Sequence, residues 1–524
     1  MSPPQSGLEQ DGLPPGPRRW AVAASAIAIS MAVLDSAIAN VALPTIAVDV
    51  HASAADSIWV INAYQLAVIV CLLPLASLGE IVGYARIYRV GLAVFTLASL
   101  ACALSDSLAT LTAARILQGA GAAGIMGVNT ALIRFIYPAS RLGAGIGINA
   151  LVVAIASAVG PSAAAGILAV APWPWLFALN VPVGLLALAM AWRSLPQVAP
   201  VARRFDWPSA ALNGLAFGLL ISALDGLGHG EPAWGVAAEL AGAAAAGWVL
   251  ARRQLGMASP LLPVDLLRVP LFALSVATSV CSFAAQTLAF VALPFYFQDV
   301  LGRGEVATGL LMTPWPAAVA VSAPIAGRLL DRVAPGVLGG LGLAAMTAGL
   351  AALWALPAAP GDFAVAWRMT LCGAGFGFFQ VPNNRTLIAA APRHRTGGAS
   401  GMLSTARLLG QTGGAALVAV LFARVAGGAA GAAGTDAVLA LATGFSALGC
   451  VVSLARGRGG AGGLGAPGGV SGTASGAIAT VPAAGDTLGR GGQGRRAIHR
   501  DPRLPGAVDP AGEVPLRHEQ AGRR

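Results

Sequence analysis

Apolar residues along this chain fall into fourteen long runs: 20–43, 57–78, 87–104, 109–133, 143–168, 173–192, 207–227, 234–251, 271–296, 306–327, 335–356, 363–388, 398–423 and 436–455. A bilayer core about 30 Å thick is crossed by a helix of roughly 20 apolar residues, so each run predicts one spanning helix. Several runs contain Gly and Pro, which spanning helices tolerate better than soluble ones. The first run begins after Arg18-Arg19 and is too long for a signal peptide; residues 1–19 ahead of it are polar and Pro-rich. Near Gly457 the pattern stops. Residues 457–524 are rich in Gly, Ala, Pro and Arg without an apolar period, which predicts a disordered tail.

Charge changes this picture by adding an orientation. Only 54 of 524 residues are charged, about 10% where a soluble domain carries roughly 25%. That scarcity, with 56% hydrophobic residues, excludes a disordered chain, a nucleic-acid-binding domain and almost any soluble enzyme. There is no lysine; all 32 basic residues are arginine. When the connections are assigned alternately to two sides, nineteen arginines fall on one side and only Arg303 and Arg424 on the other. The positive-inside rule makes the first side cytoplasmic and places both termini there. The net charge of +10 is then mainly topological and needs no polyanionic partner.

Several chemistries are absent from the pattern. Cys71, Cys102, Cys281, Cys372 and Cys450 all lie in apolar runs, with no C-x-x-C pair and no zinc spacing of histidines. Gly373-Ala374-Gly375-Phe376-Gly377 lacks the strand and lysine of a nucleotide loop and reads as close helix packing. No G-x-S-x-G elbow is present. No cofactor is expected. Asp225, His229 and Glu231 gather at the link between the seventh and eighth runs and read as a solvated loop.

Asp35 stands inside the first run, in Leu34-Asp35-Ser36-Ala37-Ile38-Ala39-Asn40-Val41-Ala42-Leu43-Pro44. A carboxylate in a lipid-spanning helix is costly unless it faces a polar interior, pairs or is protonated. Reversible protonation would make it a proton carrier; hydrogen bonding near a helix end would make it structural. Arg115, in Arg115-Ile116-Leu117-Gln118-Gly119-Ala120-Gly121-Ala122-Ala123, must likewise face a cavity or a partner. Glu80, Gly83 and Arg86 punctuate the connection after the second run, and Gly327-Arg328-Leu329-Leu330-Asp331-Arg332 echoes it after the tenth. The fifth run holds Gly160-Pro161-Ser162-Ala163-Ala164-Ala165-Gly166, small residues that permit close helix approach around a proline that can bend the helix.

These segments, with Trp173–Gly184, Phe205-Asp206-Trp207, Gln380–Asn384 and Arg407–Gln411, resemble in order the signatures of the major facilitator superfamily, and among its members the fourteen-helix drug–proton antiporters. The first segment is similar to the family's L-D-x-T-x-V-N-V-A-L-P, and the Arg115 segment to R-x-x-Q-G-x-G-A-A. The second connection departs from G-x-L-A-D-R-x-G-R-R, with Glu80 in the acid position and Ile81 where a basic residue is usual. The fifth run has Ala164 and Ala165 in place of a glycine pair.

The resemblance implies an all-α integral membrane protein with two six-helix bundles (20–192 and 271–455) and two inserted helices (207–251). It implies proton-coupled export of small amphipathic or cationic compounds across a bacterial cytoplasmic membrane, by a non-enzymatic monomer. Asp35 and Arg115 would couple protons. Glu80, Gly83, Arg86, Asp331 and Arg332 would clamp the cytoplasmic ends, and Gly160, Pro161 and Gly166 would form the antiporter packing motif. Asn40, Tyr64, Gln65, Asn129, Gln286, Phe290, Tyr296 and Asn383 are candidate cavity groups, though such residues often serve as helix glue. Two other readings are uptake of a nutrient by symport and a non-transporting sensor.

Overall fold

The computed structural model describes residues 12–198, 201, 204–257, 264–330, 332–391, 396–425 and 431–460. Among them there is no strand, and α-helices follow one another in the order α1 (Pro15–Asp49), α2 (Ala54–Ser57), α3 (Trp59–Val82), α4 (Tyr84–Ala103), α5 (Leu108–Ile136), α6 (Leu142–Leu168), α7 (Pro174–Ala178), α8 (Asn180–Ser194), α9 (Trp207–His229), α10 (Ala233–Leu255), α11 (Pro270–Phe295), α12 (Glu305–Met312), α13 (Pro314–Leu329), α14 (Pro335–Trp354), α15 (Asp362–Ala389), α16 (Thr396–Val425) and α17 (Ala432–Gly460). α1 starts before residue 20, so it takes up the end of the segment read as polar leader. α17 continues past 457, and the rest of the predicted tail lies outside the described residues.

Among the described residues thirteen helical segments are long and apolar enough to cross a membrane, and they match thirteen of the fourteen runs. The remaining run, 363–388, is the continuous 28-residue helix α15. Asp362, Arg368, Arg385 and its amides lower its hydropathy. α15 packs against α11, α13 and α14; Asp362 and Arg385 lie exposed near its ends, and Arg368 donates to the Ala352 and Ala364 carbonyl oxygens.

Local chemistry sets the helix ends. Gly83 adopts φ +111° between α3 and α4, a conformation that side chains strain against. Ser107 and Thr110 form a reciprocal capping box at the start of α5, satisfying donors the first turn leaves open. Interior prolines in α1, α3, α6, α11, α13 and α15 persist because the helices are held by neighbours.

Two three-helix units share one packing plan. On α5, a Cβ at Gly119 would run into the carbonyl oxygen of Tyr64 on α3, and one at Gly121 would lie 2.7 Å from that of Gly91 on α4. On α15, a Cβ at Gly373 would run into the Trp315 carbonyl oxygen on α13, and one at Gly375 would lie 2.5 Å from that of Gly342 on α14. The Gly373 segment is therefore a packing surface. The repetition is what two homologous halves produce, but the repeat is chemically uneven: the position matching Arg115 is the buried Met369.

α6 lies against α1 on one side and α12 and α13 on the other. A continuous apolar core joins Ile38–Ile46 of α1 to Phe283–Phe297, Trp315 and Phe376. α9 pairs with α10 and touches α3 and α16. Asp225 on α9 is no solvated loop residue: its carboxylate accepts the Trp59 indole N–H at 2.8 Å. Outward faces are apolar, as lipid requires; Ile116 and Leu117 are 48% and 57% exposed, whereas Arg115 beside them is 1% exposed.

Candidate functional site

Asp35 occupies the middle of α1, and Arg115 lies one turn above the Gly119 contact on α5. Close approach of α5 to α3, permitted by Gly119, turns Arg115 inward. There Arg115 Nη1 donates to Asp35 Oδ2 in a buried ion pair, and its Nε donates to the Val60 carbonyl oxygen at 2.9 Å. Gln118 Nε2 donates to Asp35 Oδ1 at 2.7 Å and to Ser99 Oγ at 2.9 Å. Asn180 Nδ2 donates to the same Asp35 oxygen at 3.0 Å. The Arg115 guanidinium lies 4.2 Å from the Tyr64 ring centre and 5.5 Å from that of Phe177. The Tyr64 hydroxyl donates to the Ala32 carbonyl oxygen at 3.1 Å.

α1, α5 and α8 thus meet at one carboxylate, and α3, α4 and α7 pack around its partners. Two amide donors and one guanidinium surround it. A buried pair of this kind is held by opposing terms: desolvation is large, and mutual attraction plus added hydrogen bonds offset it. Adding a proton to Asp35 would cancel the attraction and leave Arg115 on neutral acceptors.

Gln118 and Asn180 were not among the expected site residues. Gln118 was legible, since i and i+3 share a helix face and it follows Arg115 at that spacing. Asn180 had no such signal, because only the packing of α8 on α1 and α4 brings it near Asp35.

The expected clamp is only partly in view. Gly83 is buried at the sharp junction, while Arg86 is exposed and donates to the Val82 carbonyl oxygen of its own turn. The Glu80 carbonyl oxygen accepts the Val201 N–H at 2.8 Å. Arg332 is exposed, and Asp331 lies outside the described residues.

The small-residue motif of α6 needs one correction. A Cβ on Gly160 would sit 2.5 Å from Ala37 Cβ, two residues beyond Asp35. Pro161 and Ala165 pack against Gly309 of α12, and Ser162 and Thr313 hydroxyls are hydrogen-bonded at 2.8 Å. Gly166 is exposed and faces open space; the contact expected of it is made by Ala165, because the face that meets α12 lies one residue earlier.

The expected cavity groups go to different places. Tyr64 joins the Asp35 site. Asn40 and Gln65 are buried with side-chain oxygens that have no partner. Gln286 and Phe290 are half-buried, and Phe290 stacks edge-on against Trp315. Tyr296 is buried at the end of α11. Asn129 and Asn383 hold helices together: Asn129 donates to Asn149 at 2.7 Å, and Asn383 donates to Ser279 Oγ at 2.7 Å while accepting from Arg456 at 2.6 Å. Arg456, placed by the sequence in a connection, is buried on α17.

On the arginine-poor face the two halves meet through side chains. Thr45 Oγ1 donates to Glu305 Oε1 at 2.7 Å, and Gln298 Nε2 donates to the Val41 carbonyl oxygen at 3.3 Å. A vestibule of about 260 Å³ lies there, lined by Pro44, Thr45, Val48, Asp49, Gln298, Asp299 and Glu305.

Residues 25–415 match the family model of the Major Facilitator Superfamily. The chain is 59% identical over 416 residues to the uncharacterized transporter YebQ of Escherichia coli, covering 79% of this chain and 91% of that one. It is 32% identical to the tetracenomycin C resistance and export protein of Streptomyces glaucescens, covering 78% and 76%. It is 29% identical to the riboflavin transporter RibZ of Clostridioides difficile, covering 76% and 87%. Among solved structures, a bacterial homologue of the lysosomal transporter Spinster, inward-facing and unoccupied, aligns with a TM-score of 0.63 at 14% identity, covering 87% of this chain and all of that one. The fold, the matched span and these relatives agree: the chain is a multi-pass membrane transporter and belongs to the major facilitator superfamily.

Proposed function

We propose that this protein exports small amphipathic compounds across the cytoplasmic membrane in exchange for protons, as a fourteen-helix antiporter with both termini inside. The observation that carries this reading is the buried Asp35–Arg115 pair, whose remaining contacts are all neutral. Export is further supported by the relative named for tetracenomycin C resistance and export.

In the proposed cycle a proton from outside reaches Asp35 and neutralises it. Arg115 keeps the Val60 carbonyl, Gln118 and the Tyr64 face, but its tie to α1 is gone. α1 is then freer to move against α5, and the halves reverse. On the inner side substrate binding and proton loss restore the pair. Thr45 and Gln298 would part from their partners when the outer face opens, while Glu80, Gly83, Arg86 and Arg332 would close the inner face. Rocking would pivot where α6 meets α12 and α13.

An efflux panel of dyes, biocides and antibiotics in a pump-deleted host identifies a substrate. Inverted vesicles then test coupling. Accumulation driven by an imposed proton gradient is expected in wild-type vesicles and absent with Asp35→Asn. Full proton-coupled transport by Asp35→Asn overturns the mechanism; uptake by whole cells without vesicle accumulation supports symport.

A further inference from the structure

α16 carries a polar stripe that the proton-coupling site does not use. Ser400, Ser404, Arg407 and Gln411 recur at intervals of four, three and four residues, which places them on one helix face over about 16 Å. All four are half-buried and lie within the span Gly398–Val425. The flanking faces are occupied. Gly401 faces Leu73 of α3, and Gly410 and Gly414 face the backbone of α11 at Val280 and Ala284. α9 covers the far side at Val420 and Ala423. The stripe therefore faces between α3 and α11.

Arg407 is unusual among the buried and half-buried arginines of the spans. Arg115, Arg368 and Arg456 each donate several hydrogen bonds to protein acceptors. Arg407 Nε is buried and has no hydrogen-bond partner, and no carboxylate among the described residues pairs with it. It lies within electrostatic reach of the Tyr64 phenol, beside the Asp35 site. Next to Tyr64 on α3, Gln65 is 4% exposed and its Oε1 is also without a partner. A guanidinium at membrane depth without a counter-ion is costly, and its planar fork fits the oxygen pair of a carboxylate better than any neutral group.

We propose that this stripe is the polar docking edge for the exported compound and that Arg407 receives an acidic group of it. The substrate class is then a small organic anion with an apolar aromatic or aliphatic body. This rests on the transport reading and narrows it: a cation would be repelled by Arg407 and would find the Asp35 carboxylate already occupied by three donors.

Fluorescence anisotropy with purified protein tests the assignment, using fluorescein and rhodamine 6G, which share a xanthene core and carry opposite charge. Wild type is expected to bind fluorescein in preference to rhodamine 6G. Arg407→Gln should weaken fluorescein binding by about tenfold or more, as loss of a charge-assisted contact does, and Arg407→Lys should recover part of it. Absence of fluorescein binding, preference of wild type for rhodamine 6G, or equal fluorescein affinity in Arg407→Gln overturns the inference. The wild-type preference needs no variant to fold. Binding also needs no proton gradient, so fluorescein binding at Arg407 without proton-driven export would overturn the coupling mechanism and leave this site standing.

Discussion

Gln118 Nε2 donates to Asp35 Oδ1 at 2.7 Å, the carboxylate oxygen that Arg115 leaves to other donors. The same amide accepts from Arg115 Nη1 at 2.6 Å, so one side chain aligns both members of the ion pair. Gln118→Leu keeps the bulk and removes both bonds. It should lower proton-driven transport by about tenfold, the scale of one hydrogen bond to a charged group, while Gln118→Glu should not restore it. Vesicle transport under an imposed proton gradient measures the effect.

Breaking the ion pair and deleting it should differ. Arg115→Gln leaves a buried carboxylate without its counter-ion, an imbalance that costs about 3–5 kcal/mol in buried pairs. The double variant Asp35→Asn, Arg115→Gln removes both charges and should regain most of that stability without regaining transport. Thermal unfolding in detergent, set beside vesicle transport, checks both halves of this expectation.

Thr45 and Glu305 join the halves on the arginine-poor face at 2.7 Å. Cysteines at these two positions, in a background free of the five native thiols, should be joined by a short reducible thiol-reactive cross-linker. Transport should stop on cross-linking and return on reduction, because the proposed reversal separates these helix ends.

Two glycines of one motif should respond oppositely. Gly160→Val would force a branched side chain against Ala37, where even a Cβ would sit 2.5 Å away, and should abolish transport or folding. Gly166→Ala enters open space and should change stability by no more than about 0.5 kcal/mol. Expression level, melting temperature and transport of the two variants separate them.

Asp206 caps α9, accepting the Ser209 N–H at 3.3 Å and the Arg253 guanidinium at 3.1 Å. Burial works against its charge, but the Ser209 hydroxyl and N–H and the Arg253 guanidinium outweigh burial and hold the carboxyl below its ordinary value. A depressed folded value means that its contribution is fully present above the unfolded value of about 3.9 and is lost as pH falls through the folded value. Melting temperatures of wild type and Asp206→Ala should therefore differ by a constant amount above pH 5, reflecting a cap of about 1 kcal/mol, and converge in stronger acid.

Legibility followed the range of the interaction. Asp35 and Arg115 were visible because a charge in an apolar run is anomalous wherever it points. Gln118 was available from its spacing. Asn383 and Asn129 looked like cavity groups because a polar residue in a span has the same signature whether it faces a substrate or another helix; Ser279, Arg456 and Asn149 decided between these. Gly166 looked like Gly160 because composition does not say which face a neighbour covers.

The sequence by itself determined thirteen of the helical spans, the uneven distribution of arginine among their connections and the anomaly of Asp35 and Arg115 within apolar runs. All of these follow from local hydropathy and from the cost of charge in lipid. Only the tertiary structure decided that Asp35 meets Arg115 eighty positions away, that Asn180 completes the site, and that Arg407 pairs with no carboxylate among the described residues. Those outcomes depend on how each helix is rotated about its axis, and rotation is set by close contacts such as Gly119 on Tyr64 and Gly160 on Ala37, which no local pattern records.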